Sequence, residues 1–159
     1  MAGEAGLVMD QLVEMIQAVE APNAYNGTTA FIHDTSTDDA EDLSTKRGRT
    51  RRFVIALSGG RELVGPIFTQ TEPFEVEQEF NVGLIYPVGK DIFTAQKRIA
   101  EDMDSLTHGV MTYSNWDTTQ TRIVRVTAAD YDINAIGVEG QIGSYVVTLP
   151  ITVRYQPSF

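Results

Sequence analysis

The stretch Pro73–Pro87 constrains the fold more than any other part of the chain. It reads Pro-Phe-Glu-Val-Glu-Gln-Glu-Phe-Asn-Val-Gly-Leu-Ile-Tyr-Pro. Phe74, Val76, Phe80, Val82, Leu84 and Tyr86 share one parity; Glu75, Glu77, Glu79 and Asn81 share the other. Successive side chains of a strand point to opposite faces, so this alternation predicts one long strand with an apolar face and an acidic face. Gln78 alone interrupts the apolar register, and a proline closes each end. A strand of roughly 13 residues rises about 40 Å, well beyond the ~5–6 residues that are usual. That excess leads us to expect that part of it pairs with something outside the chain. The three stacked glutamates repel one another, a cost that fits a face turned to water or to a shared acidic space.

The chain has 159 residues, 42% of them hydrophobic, which suits one domain over 1–159 with a sizeable core. No run reaches the ~18 apolar residues of a membrane span, and the Met-Ala-Gly-Glu-Ala-Gly-Leu start carries no signal-peptide pattern. Cysteine is absent, which excludes disulfides and thiolate metal sites and fits a cytoplasmic folding compartment. Asn26-Gly27-Thr28 has the form of a glycosylation sequon but reads as a turn in a chain without a secretion signal. A net charge of −10 argues against general nucleic-acid binding, which needs an accumulated basic surface.

Leu7, Val8, Leu12, Met15, Ile16 and Val19 recur at spacings of three and four, predicting a helix over 4–20 that either completes the core, the favoured reading, or docks on a neighbour. Pro22, Asn23, Asn26 and Gly27 end it, and Thr28–His33 reads as a short strand. The segment 34–50 is an extended charged loop or arm, poor in apolar residues. Its acids Asp34, Asp38, Asp39, Glu41 and Asp42 come first. Then Lys46, Arg47, Arg49, Arg51 and Arg52 place five of the twelve basic residues within seven positions. Such a segment is either a self-neutralising solvated loop or an arm that orders against an acidic partner.

Arg52–Leu57 predicts a strand, Ser58-Gly59-Gly60-Arg61 a turn, and Leu63–Thr69 a returning strand. Lys90–His108 is the clearest helix, with Ile92, Phe93, Gln96, Ile99, Ala100, Met103 and Leu106 as its stripe. Lys97, Arg98, Glu101, Asp102 and Asp104 fall on the rest, and Gly109 is placed as the C-cap. Thr121–Ala128 is a strand, Ala129–Gly143 a loop, and Ser144–Gln156 a final strand. Pro150 in that strand implies an edge position or a bulge. The order predicts an α+β domain: a mostly antiparallel sheet with the N-terminal and mid-chain helices packed on it, plus the long charged loop.

No catalytic constellation is present. His33 and His108, the only two histidines, lack partners at ligand spacing, so no metal site is expected. Glu75, Glu77 and Glu79 resemble a carboxylate pair in spacing but lack the contrasting environments that separate acid from base. Ser58-Gly59-Gly60 lacks the lysine and helix of a phosphate loop, and no other cofactor motif occurs. Trp116, with Tyr113 and Asp117 beside it, reads as a core anchor.

The helix at 4–20, the charged loop before a hairpin, the helix near 90–108 and the final run Tyr145-Val-Val-Thr-Leu-Pro-Ile-Thr-Val-Arg-Tyr together resemble bacteriophage tail-terminator proteins, also called tail-completion or head-to-tail joining proteins. The resemblance covers most of the chain through element order, size and the terminal strand. It implies a structural virion protein, not an enzyme, assembled in the bacterial cytoplasm and resident in the tail or neck. Its partners would be copies of itself in a ring, as a hexamer, together with the tail tube protein and a head-completion or neck protein. Phage DNA would pass through the ring without specific binding, and no membrane or cofactor is implied. With that likeness in view, the acids Asp38, Asp39, Glu41 and Asp42 and the bases Lys46, Arg47, Arg49, Arg51 and Arg52 become complementary interface patches. Glu75, Glu77 and Glu79 become an acidic lumen or solvent face. Two other readings stay open: another neck or tail-tube component, or a small intracellular ligand-binding α+β domain with a pocket between the helix at 90–108 and the sheet.

Overall fold

The structure, a computed structural model, describes residues 4–25, 27–45, 51–63, 75–88, 91–112, 116, 122–138 and 140–156. Its elements run α1 (Glu4–Ala18), β1 (Glu20–Tyr25), β2 (Thr28–Ala30), β3 (Ile32–His33), a 3-10 turn (Ala40–Thr45), β4 (Arg52–Leu63), β5 (Glu75–Pro87), α2 (Ile92–Met111), β6 (Arg122–Ala128), β7 (Asp132–Val138) and β8 (Gln141–Gln156). The fold is α+β. Six strands form one sheet in the order β3-β4-β5-β8-β6, with β7 also on β8, and β1 and β2 make a separate hairpin. All pairings are antiparallel except β3 with β4, which is parallel, so the sheet is mixed at that edge.

β5 is the alternating stretch. Phe80, Val82, Leu84 and Tyr86 enter the main core, where they meet Val147, Leu149, Ile151 and Val153 of β8 and Ala95, Ile99, Met103, Leu106 and Val110 of α2. Its length is satisfied within the chain and not by an outside partner. β4 pairs with it from Phe53↔Leu84 to Leu63↔Glu75, and β8 from Val76↔Tyr155 to Pro87↔Ser144. α1 joins the same core through Val8, Leu12, Met15 and Ile16, each side chain contributing about 1.5–3 kcal/mol when fully buried.

The other face of the sheet is covered in part by the charged segment itself. Ala40 and Leu43 of the 3-10 turn pack on Val54, Ile85 and Val146 as a second, smaller core. Gly83 makes room for them: a Cβ there would stand 2.9 Å from the Ala40 Cβ and 3.1 Å from Val54 Cγ2.

Several expectations from local sequence give way to pairing. Ser58-Gly59-Gly60 does not turn; β4 runs through it, shifting register between Leu57 and Gly59 as a bulge, because the ladder to β5 resumes at Gly59↔Glu79. The expected return strand beyond Leu63 lies outside the described residues up to 74. Residues 20–30, read as a helix end and the start of a short strand, form the β1–β2 hairpin, with Gly27 at φ +80°. The expected loop at 129–143 contains β7, which pairs with β8 from Asp132↔Thr148 to Val138↔Gln141. Pro150 is neither on an edge strand nor in a bulge. It sits where the partner of β8 changes from β7, ending at Thr148, to β6, starting at Ile151, and its carbonyl accepts Ala129 N at 2.9 Å.

α2 begins on Asp91, whose carboxylate accepts Phe93 N at 3.0 Å and Thr94 Oγ1 at 2.7 Å. The Thr94 hydroxyl is the main reason the Asp91 carboxyl titrates below its ordinary value. The helix passes through Gly109 to Met111 and is capped by Thr112. Gly109 is needed instead for the contact with the link between α1 and β1: a Cβ there would lie 2.5 Å from Val19 Cγ2. Trp116 is buried, and its Nε1 donates to Val110 O at 2.7 Å, as expected of a core anchor.

Candidate functional site

The basic run does not form one exposed patch. Arg51, expected at an interface, is 2% exposed. It adopts the left-handed conformation (φ +51°), which turns its side chain under the β1–β2 hairpin. Its guanidinium grips Asp102 of α2 with Nε to Oδ2 at 3.1 Å and Nη2 to Oδ1 at 2.9 Å, and Nη1 donates to Thr28 O. Tyr86 donates its hydroxyl to Asp102 Oδ2 at 2.8 Å, and the Phe31 ring lies 5.8 Å below the guanidinium. Burial first, and then the Asp102 charge and hydrogen bond, push the Tyr86 phenol well above its ordinary value. Arg51 is therefore a structural residue, removed from the candidate surface because a buried carboxylate requires it. Asp102, expected on the polar side of α2, is fully buried; its spacing of three from Ile99 and four from Leu106 places it on the apolar stripe.

Arg52 is half-exposed and pairs with Asp34 at 3.0 Å, while Asp34 Oδ1 also accepts Ser36 N and Oγ at 2.9 and 2.6 Å. Lys46, Arg47 and Arg49 lie outside the described residues. Among the acids, Asp39 accepts Glu41 N at 3.0 Å and Asp42 accepts Thr37 Oγ1 at 2.7 Å, so both shape the 3-10 turn. Asp38 and Glu41 are exposed. What the described part of this loop presents outward is acidic, and its anchors are the two apolar side chains Ala40 and Leu43.

Glu75, Glu77 and Glu79 project from β5 away from the helices, as the alternation predicts, but the face they form is of mixed charge. Arg154 stands opposite Glu77 on β8, with Nη2 2.7 Å and Nε 3.3 Å from Glu77 Oε1 and Nε 3.6 Å from Glu75 Oε2. Glu77 is buried beneath this bridge, and Glu79 is exposed. One strand further, Arg125 of β6 lies opposite Arg154. Glu77, Arg125, Thr127, Thr152 and Arg154 line a cleft of about 210 Å³. Charge thus passes from acidic on β5 to basic on β6 across one sheet face.

Two larger openings, each of about 450 Å³, are open grooves. One lies between α1 and α2, beside Met15, Val19, His108 and Gly109. The other runs between α2 and the sheet margin, beside Ala100, Met103, Thr107 and Tyr131. Among the described residues no group of three or more His, Asp or Glu is placed to hold a metal ion, and no helix is long and apolar enough to cross a membrane. His33 stacks on Phe53 at 5.1 Å, and burial lowers its imidazole pKa despite the opposing charge of Asp34.

The feature that sequence reasoning missed is the pair of open sheet margins. β3 covers only Arg52 and Phe53 of β4, leaving the outer side of β4 beyond them unpaired among the described residues. At the opposite side, β6 and β7 follow one another along β8 and have no outer neighbour among the described residues. Large apolar side chains are exposed at both margins: Leu57 (57%) on β4, and Val124, Tyr131 and Ile133 (42%) along β6 and β7.

No protein-family model and no curated protein matches the chain. Among solved structures, it is similar to a chain of the virion of a native gene transfer agent particle. The two align over 98% of this chain and 99% of that one, with a TM-score of 0.55 and 13% identity. The likeness is one of fold across the whole of both chains.

Proposed function

We propose that this chain is a structural protein of a phage-like virion. Copies of it, six in number, would form a ring that caps the tail tube, ends its polymerisation and joins the tail to the head or neck, with a channel left for DNA. In this role the protein makes and breaks no bond. The observation that carries the reading is the end-to-end fold likeness to a chain from a gene transfer agent virion. The margins on opposite sides of one sheet, each without an outer strand among the described residues, add support, because a ring needs two different surfaces per copy. A net charge of −10 suits a lining past which DNA must slide without sticking. Resemblance to tail terminators, in element order and in the strand at 144–156, supplies the position at the tube end.

The test is electron microscopy of the purified protein, alone and mixed with tail tubes. A single ring of density on one tube end, and arrest of tube growth on adding the protein, is the expected result. Growth of the protein by itself into long tubes would make it a tube subunit instead. A protein that leaves tube ends bare and tube growth unaltered overturns the assignment.

A further inference from the structure

Each sheet margin contains one charge-free run, although β6 carries Arg122 and Arg125 and β4 carries Arg61 and Glu62 near its end. Charged residues make up 21% of the chain, yet 53–60 reads Phe-Val-Ile-Ala-Leu-Ser-Gly-Gly and 133–138 reads Ile-Asn-Ala-Ile-Gly-Val, both without a charge. Edge strands that must stay solitary are blunted by lysines, prolines or inward charges. These two runs instead carry exposed Leu57 and Ile133 beside backbone that has no outer partner strand among the described residues. Asp34 N donates to Phe53 O at 2.9 Å across the β3 side of β4. By strand alternation, the backbone groups of Ile55 and Leu57 point the same way, beyond the end of β3.

Three geometric facts make the margins complementary. Leu57 lies opposite Phe80 and Ile133 opposite Val147; both partners belong to the main core, so Leu57 and Ile133 project from the helix-bearing face. β4, β5, β8 and β7 alternate in direction, so β7 of one copy and β4 of a similarly oriented copy run antiparallel, which is the stronger ladder. Self-pairing of either margin would leave the other open, whereas joining unlike margins satisfies both in every copy of a closed ring.

Resting on the reading of the chain as a self-assembling virion protein, we propose that β7 of one copy pairs with the outer edge of β4 of the next. Ile133 and Leu57 then become neighbours on the helix-bearing face, and the sheet continues from subunit to subunit.

The test uses Leu57→Lys, Ile133→Glu and the double variant L57K/I133E in the full chain, with self-association followed by light scattering and folding by circular dichroism. Both single positions are exposed, so native spectra are expected. Each single variant should weaken self-association about tenfold or more, and the double variant, which restores opposite charges across the junction, should recover it. The chain has no cysteine, so an equimolar mixture of L57C and I133C provides a second measure. Disulfide-linked mixed dimers are expected, with neither variant linking to itself.

Unchanged association of both single variants overturns the pairing. So does cross-linking of I133C alone, which would mean symmetric β7–β7 contact. Single variants that still form normal rings on tube ends sink this interface while leaving the proposed function standing. A wild-type protein that associates through these margins but ignores tubes does the reverse.

Discussion

Removing one partner from the Arg51–Asp102 pair tests the claim that Arg51 belongs to the interior. Arg51→Met keeps much of the side-chain volume but deletes the two hydrogen bonds to Asp102 and the one to Thr28 O. Asp102, fully buried, then keeps only the Tyr86 hydroxyl among the described residues. Leaving one charge of a buried pair uncompensated costs about 3–5 kcal/mol. At ~2–4 °C per kcal/mol for a chain of this size, the melting temperature should fall by about 6–20 °C. Arg51→Met with Asp102→Leu removes both charges and should recover part of that loss, though not all, because Thr28 O and the Tyr86 hydroxyl would still lack their partner. Backbone strain separates from charge by comparing Arg51→Gly with Arg51→Ala. Glycine tolerates φ +51° without a Cβ clash and should be better by roughly 1 kcal/mol. Urea unfolding at one fixed protein concentration supplies the numbers, since assembly would otherwise add to the apparent stability. A loss below about 1 kcal/mol for Arg51→Met would show that the pair is hydrated, and Arg51 would return to the surface patch.

Tyr86→Phe should cost about 1–2 kcal/mol near pH 8 by leaving Asp102 one donor short. The folded phenol titrates above its unfolded value, so its contribution is present below about pH 10 and lost as pH rises through the folded pKa. The gap between wild type and Tyr86→Phe in unfolding free energy should therefore narrow above pH 10; a constant gap refutes the assignment. Gly109→Ala should cost about 1–3 kcal/mol by forcing Val19 away from α2, and Val19→Ala should relieve it; equal stability of Gly109→Ala and wild type would deny the close approach of Val19 to α2. In an NMR titration His33 should protonate below pH 6.5, and a midpoint at or above that value contradicts its half-buried stack on Phe53.

Much of this architecture could be read from periodicity. The stripe Val8, Leu12, Met15, Ile16 gave α1, and parity gave β5 and most of β8, because in each case one face is buried and the other is not. β7 escaped because residues 132–135 are exposed on both faces, so no alternation marks it. Ser58-Gly59-Gly60 has turn chemistry, but the ladder on β5 holds it in a strand, a preference exerted by Gln78 and Glu79 nearly twenty positions away. Of the candidate surfaces, the direction of Glu75, Glu77 and Glu79 was legible, whereas their neutralisation by Arg154 depended on register with a distant strand. Arg51 looked like its basic neighbours. The available signal was Asp102, an acid at stripe spacing on α2, which had to draw a base inside.

The placement of β8 has a consequence for synthesis. It is made after β4, β5, β6 and β7, yet among the described residues it is the only strand joining β5 to β6 and β7. A growing polypeptide that has not yet reached residue 141 therefore holds two halves of a sheet with nothing between them, and the apolar face of β5 lacks its neighbour until then. Translation cut short before that point leaves β5 without one of its two partner strands and β6 and β7 without the strand they pair with. The sheet is therefore completed late and in one step, when its last strand arrives.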